Sequence, residues 1–208
     1  MVILDILRSE YEFLLEIRRL RETPGRGYDM LNRDLTVGEI GEKLIRQLLK
    51  QEGYEVKEIT HVTDDLKELI KFDIIAFKDG VEETFEVKLD LKVFPGTEIV
   101  NIELPNGVKI QKEKDLDTGN LFVEVKCGNH FSGIIRTTSK FFITILFFIG
   151  EMWVAESKKL KYLVTHTNFP IVEGGQNFKT RGALIDREYN KKHFNVIEFQ
   201  LNIIDDLL

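Results

Sequence analysis

The sequence predicts one α/β domain with a strand-rich middle. Three observations carry this expectation. The first quarter of the chain holds a well-signalled amphipathic helix, and a series of segments rich in β-branched and aromatic residues follows, separated by turn signals. No linker, internal repeat or low-complexity tract divides the 208 residues. A chain of this length hides roughly 70% of its unfolded surface on folding, which is enough for a substantial core.

Ile3, Ile6, Leu7, Leu14, Ile17 and Leu20 recur at near-helical spacing and predict one helix over 2–22, followed by a loop at Thr23-Pro24-Gly25-Arg26-Gly27. Arg18, Arg19 and Arg21 fall in its last turns, where cations suit a helix C-terminus or contact phosphate. Thr36-Val37-Gly38-Glu39 matches a capping box, with Leu35 and Ile40 as its hydrophobic staple. That second helix runs through Leu44, Ile45, Leu48 and Leu49 to Gly53, placed for the left-handed residue past a helix end. Capping would occupy Glu39, whereas Glu42 has no such duty. Strands are expected at Tyr54–Ile59, Phe72–Phe77, Thr84–Leu91, Leu121–Lys126, Phe141–Ile149 and Met152–Ala155, with an inserted hairpin at 99–110 around Pro105-Asn106-Gly107. Ser157 is placed to cap a short helix over Lys158–Val164. Phe169–Gly182 reads as loop, and Phe194, Val196, Phe199 and Leu201 mark a last strand.

The 29 basic and 35 acidic residues leave a net charge of −6, which argues against a uniformly basic protein but permits a local basic groove. The single cysteine, Cys127, excludes a disulfide framework and a cysteine-rich zinc site. The apolar run Phe141–Ile149 is far shorter than the roughly 20 residues that span a bilayer. Met1-Val2-Ile3-Leu4-Asp5 lacks the basic region of a secretory signal. A soluble, cytoplasmic protein with no membrane partner is the expectation. No P-loop or Gly-x-Gly-x-x-Gly supports nucleotide chemistry. His61, His130, His166 and His193 have no zinc-like spacing, and Cys127 has no identifiable base.

The functional argument rests on one hairpin. Asp79-Gly80 is a preferred centre for a two-residue turn, and with that centre Lys78 pairs with Val81 and Asp73 falls opposite Glu86. Directly opposed residues share a face, with Cβ atoms about 4.5–5.5 Å apart. Period two adds Lys88 and Asp90 to that face and turns Phe85, Val87 and Leu89 to the other. Facing carboxylates repel unless a cation lies between them, and Mg²⁺ favours such oxygen ligands together with water and phosphate. A lysine one pleat away can orient water or neutralise charge developing on phosphate. These are the parts of a metal-dependent phosphodiesterase, and a solvated polar sheet face is the other reading of the same spacing.

Asp73…Glu86-Val87-Lys88, preceded by Gly41-Glu42…Gly53-Tyr54, resembles the PD-(D/E)xK nuclease superfamily. Thr118-Gly119-Asn120-Leu121-Phe122-Val123-Glu124, Ser132-Gly133-Ile134 and Thr137-Thr138 are similar to a phage and prokaryotic branch of it, so the likeness spans residues 38–163. The resemblance implies a restriction-endonuclease-like three-layer core, a mixed central sheet flanked by helices. It implies a deoxyribonuclease using Mg²⁺ or Mn²⁺, held by Asp73, Glu86, the Val87 carbonyl and Glu42, with Lys88 as the catalytic lysine and Glu124 in support. It implies a nuclease core at about 36–165, between the N-terminal helix and a C-terminal extension over 166–208. Phe72 stands where many members have proline, and the stretch from Asp90 to Thr118 is longer than the pattern suggests.

Lys126, Ser132, Arg136, Thr137, Thr138 and Lys140 bring hydroxyls and cations just beyond a strand, a composition suited to DNA phosphates. Because the chain is acidic overall, a homodimer is one way to build a basic channel. The competing functional reading is a catalytically inactive module of the same fold that binds DNA or a protein partner.

Overall fold

The computed structural model describes residues 1–22, 30–57, 72–103, 109–174 and 180–206. The expected loop at 23–27 and the turn at 105–107 lie outside the described residues. In chain order the first half contains β1 (Val2–Leu7), α1 (Arg8–Glu22), α2 (Met30–Gln51), β2 (Glu55–Lys57), β3 (Ile74–Lys78), β4 (Val81–Asp90), β5 (Thr97–Glu103) and β6 (Lys109–Asp115). The second half contains β7 (Asn120–Cys127), β8 (His130–Phe131), β9 (Phe141–Leu146), β10 (Glu151–Glu156), α3 (Ser157–His166), β11 (Ile171–Gly174), β12 (Thr180–Asp186), α4 (Arg187–Asn190) and β13 (Asn195–Ile204). Short 3-10 turns lie at Gly133–Ile135, Phe147–Ile149 and Lys191–His193.

The architecture is α/β with a mixed seven-stranded central sheet in the order β1-β13-β10-β9-β4-β3-β2. The pairs β1–β13 and β4–β9 are parallel, and the remaining neighbours are antiparallel. Side-chain alternation on β9 explains its unbroken apolar run. Ile143 and Ile145 join the core beneath α1 and α2, whereas Phe142 and Leu146 join a second core on the opposite face. A strand buried on both faces reads as continuous rather than alternating hydrophobicity. The second core is closed by a four-stranded sheet, β11-β12-β7-β8, and by α3, through Leu121, Val123, Ala183, Ile185, Leu160 and Val164. Helices therefore flank one face of the central sheet as expected, while the other is covered mainly by strands.

Residues 2–7 form an edge strand instead of the first turns of a helix. Leu4 and Ile6 are buried while Ile3 and Asp5 are exposed, a period of two that a six-residue apolar stretch does not distinguish from helical spacing. The outer edge of β1 is covered by α2. Gln47 accepts from the Asp5 amide and donates to the Asp5 carbonyl, both at 2.8 Å, and Gln51 donates to the Ile3 carbonyl at 2.8 Å. These bonds satisfy groups that an open edge offers to another chain.

The capping box is not used as a helix start. α2 begins at Met30, so Thr36 is internal, Leu35 is 59% exposed and forms no staple, and Glu39 is exposed. Val37 extends the buried stripe backwards, and neither proline nor glycine interrupts residues 30–36. Gly53 does adopt the left-handed conformation past the helix end, at φ 81°. Ser157 is the first residue of α3; the flanking position before it is Glu156, which makes no side-chain cap.

The segment expected as loop at 169–182 holds β11 and the start of β12, and the segment expected as a C-terminal extension supplies β13, an interior strand. Gly182 is the reason the loop reading fails. The β7–β12 register shifts between Arg181 and Gly182, and a Cβ at 182 would lie 2.4 Å from two atoms of the Phe122 ring. The glycine admits a neighbouring aromatic ring, a role that resembles a turn signal in sequence. The inserted hairpin is present as β5–β6, somewhat longer than 99–110. Gly182→Ala is expected to destabilise the protein by about 1–3 kcal/mol in urea unfolding, and Phe122→Leu in the same chain to recover part of the loss; an unchanged midpoint for Gly182→Ala would contradict this packing.

Candidate active site

The hairpin follows the expected register. Lys78 pairs with Val81 and Ile74 with Phe85, while Asp79 and Gly80 both have positive φ, 52° and 77°, as a two-residue turn of this hand requires. Asp73 lies just before β3. Its amide donates to the Phe85 carbonyl at 2.8 Å, and its Oδ2 accepts the Val87 amide at 2.7 Å. A side chain thus substitutes for the next backbone acceptor and fixes the Asp73 carboxylate against β4 beside Glu86. Val87 enters the site through this amide.

Glu86 is 9% exposed. Its Oε1 lies 2.6 Å from Lys88 Nζ, and its Oε2 is 3.2 Å from the Thr137 hydroxyl, which donates to it. Burial pushes the Glu86 carboxyl above the usual carboxylate range, and the nearby charge of Asp73 adds to that push against Lys88 and Thr137. Burial alone would lower the Lys88 ammonium, but Glu86, Asp73 and Glu124 outweigh it and hold Lys88 above the ordinary lysine value. Glu124, on β7, thereby joins the electrostatic neighbourhood.

Glu42 reaches the same neighbourhood from α2. Burial raises its carboxyl, Asp73 raises it further, and Arg46 at 2.7 Å opposes the shift. Gly41 permits the close helix–strand approach, with a Cβ position 3.1 Å from the Leu89 Cβ. The four residues Asp73, Glu86, Lys88 and Glu42 are therefore linked through direct contact or mutual charge.

A buried hydroxyl chain supports Glu86 from behind. Thr137 Oγ1 is 3.0 Å from Ser139 Oγ and accepts the Ser139 amide at 3.2 Å. Ser139 Oγ donates to the Phe141 carbonyl and lies 2.9 Å from Ser157 Oγ on α3. Thr137 is positioned by the turn at Gly133, whose carbonyl accepts the Thr137 amide at 3.0 Å. Gly133 has φ 51°, and a Cβ there would lie 2.4 Å from the Glu124 carbonyl oxygen; glycine lets the turn rest directly on β7.

Other expected residues are placed differently. Asp90 accepts the Lys92 amide at 2.7 Å and closes a local turn. Thr137, expected at phosphate, is buried behind Glu86. The Ser132 hydroxyl is buried without a hydrogen bond, and Lys140 is paired with Glu83. Arg136 and Thr138 are exposed, and Lys126 is half-buried. Arg46 carries no signal in the sequence, and Ser157, expected as a helix cap, instead meets Ser139, because these partners become visible only when α2 or α3 is packed onto the sheet.

Among the described residues, no three His, Cys, Asp or Glu side chains converge to hold a metal ion. The donor chemistry of Asp73 and Glu86 nevertheless fits a hard divalent cation: both supply carboxylate oxygens, and the proximity of their charges is relieved by a cation. No helix among the described residues is long and apolar enough to cross a membrane. Comparison with protein-family models, curated proteins and solved structures gives no match.

A carboxyl raised in the folded state stabilises the protein below its unfolded value, here near 4.5, and that contribution is lost as pH rises through the folded value. Glu86→Gln is therefore expected to flatten the decline in stability above pH 4.5 in EDTA, removing a slope of up to about 1.4 kcal/mol per pH unit. Urea unfolding across that range checks this, and an unchanged slope would show that Glu86 does not carry the effect.

Proposed function

We propose that this chain is a metal-dependent deoxyribonuclease of the restriction-endonuclease-like class, hydrolysing phosphodiester bonds at Asp73, Glu86 and Lys88. The observation that carries the reading is the assembly of Asp73 on the Val87 amide of β4, within electrostatic reach of Glu86, with Lys88 on Glu86 and Glu42 within electrostatic reach of Asp73. The order of elements supports it as well: a helix bearing Glu42, three antiparallel strands, and then β9 parallel to β4.

Asp73 and Glu86 would hold Mg²⁺ or Mn²⁺, with Glu42 and the Val87 carbonyl as additional ligands. When bound, such an ion supplies an acidified water and neutralises charge on phosphate. Lys88 orients the attacking water and offsets charge developing on the phosphoryl oxygens. Thr137 holds Glu86 in place, while Glu86 and Asp73, with a smaller contribution from Glu124, favour the charged form of Lys88. The acidic carboxylate face leaves affinity for DNA to cations elsewhere on the surface.

Two observations favour the inactive binding module: Lys88 is already paired with Glu86, and no metal cluster is preassembled among the described residues. The two readings separate on cleavage and on metal binding. Of labelled linear, circular, single-stranded and branched DNA, at least one should be cut with Mg²⁺ or Mn²⁺ and none with EDTA, and the form that disappears identifies the substrate. Asp73→Ala should abolish this activity, and Lys88→Ala should reduce it on the order of 10²–10³-fold. Independently of activity, Mn²⁺ at a hundredfold excess over its Kd should stabilise the wild type by about 2.7 kcal/mol and leave Asp73→Ala unmoved. DNA binding with neither cleavage nor metal stabilisation would establish the module instead.

A further inference from the structure

We propose that the surface formed by β8, the turn following it and the exposed side of α3 is a binding track for an unpaired nucleic-acid strand. The observation is that adjoining elements carry both unpaired cations and exposed aromatic rings. Lys126 faces Phe131 across the β7–β8 pair, and Phe131 is 69% exposed. The adjoining 3-10 turn packs on both β7 and α3 and ends at Arg136, which is exposed. On α3, Lys158 is exposed and Lys161 lies one turn beyond Ser157, on the same row of the helix. Tyr162 follows, 65% exposed and stacked on His166 with ring centroids 4.0 Å apart.

These cations differ from most of those around them. Lys88, Lys140, Lys159, Arg181 and Arg187 are each paired with carboxylates. Lys126, Arg136, Lys158 and Lys161 have no ion-pair partner among the described residues. A half-dissolved polar surface explains isolated lysines, but it does not explain two large exposed rings beside them. A track of cations with interspersed rings has the chemistry of single-strand recognition, in which phosphates meet cations and bases stack on aromatic faces. A duplex hides those base faces.

The location connects the track to the carboxylate site. Ser157, in the first turn of α3, meets Ser139; Ser139 meets Thr137, and Thr137 meets Glu86. Arg136 immediately precedes Thr137 in the chain. Exposed Arg136 and Lys158 thus flank the two ends of this buried hydroxyl chain, and phosphates flanking one held at Asp73 and Glu86 would pass over these two cations. α3 extends about 15 Å, room for several nucleotides.

The assignment of this track as the feed to a cleavage centre rests on the nuclease reading, but its affinity is measurable without cleavage. The test uses full-length Asp73→Ala protein in EDTA, with fluorescence anisotropy of single-stranded DNA, single-stranded RNA and duplex DNA of equal length. Binding should favour an unpaired strand, and the tighter of the DNA and RNA arms identifies the source. Phe131→Ala and Tyr162→Ala should each weaken that binding about tenfold while changing duplex affinity little. Lys158→Glu with Lys161→Glu should reduce the steepness of the log Kd against log salt plot by about 1.4. All four positions are at least partly exposed, and circular dichroism confirms that each variant is folded. Preference for duplex, or unpaired-strand binding unchanged by the aromatic variants, would overturn the proposal. Cleavage by the wild type with such unchanged binding would leave the nuclease standing without the track. Variant-sensitive binding by a wild type that never cuts would leave the track and remove the nuclease.

Discussion

Two carboxylates brought close together beside one strand must have their charge balanced before the fold can tolerate them. In this protein Glu86 is buried beside Asp73, and the structure supplies the balance from several directions at once. Lys88 covers one oxygen of Glu86, the Thr137 hydroxyl covers the other, and the Val87 amide takes Asp73. Two of these partners come from β4 itself and the third from the turn after Gly133, so the placement of that strand and that turn converges on this one problem. An uncompensated buried charge costs several kcal/mol, and Lys88 and Thr137 offset part of that cost for Glu86, whose carboxyl is still pushed up by burial.

The scaffold can be read in the same terms. The helical layer packs Phe85 and Val87, which leaves the alternate residues Glu86 and Lys88 on the side where β7 and the Gly133 turn approach. A helix in place of that second sheet would not present the backbone of Glu124 for Gly133 to rest upon, and Thr137 would lose the carbonyl that orients it. At the far edge, Gln47 and Gln51 satisfy β1 and close the sheet without another strand. The C-terminal strand is part of this closure, because β13 lies between β1 and β10.

How much of this was legible in the sequence depends on how local each determinant is. The Asp79-Gly80 turn fixes a register by counting, so the pairing of Lys78 with Val81 through Ile74 with Phe85 follows from a few consecutive residues, while Asp73, just outside the ladder, is set by its own bonds to Phe85 and Val87. Gly53 ends α2 for an equally local reason. The misread segments depend on distant partners. Residues 2–7 become a strand because β13, nearly the whole chain away, offers a parallel edge. Thr36 loses its capping role because the helix extends upstream through residues with no strong signal. The loop expected over Phe169–Gly182 becomes strand because β12 finds β7 as a distant partner, with Gly182 admitting the Phe122 ring. The support of Glu86 by Thr137 spans 51 residues and has no spacing rule, so hydroxyl residues expected at phosphate proved in part to be internal. Asp90 had the right parity but a local amide took its carboxylate.

The central claim is that Asp73 and Glu86 together form a divalent-cation site. Diffraction from crystals soaked in Mn²⁺, collected at the manganese absorption edge, tests it most directly. The account predicts an anomalous peak bounded by the Asp73 and Glu86 carboxylates, with Lys88 displaced from Glu86 Oε1. No peak between them, with the Lys88–Glu86 pair intact at saturating Mn²⁺, would contradict it.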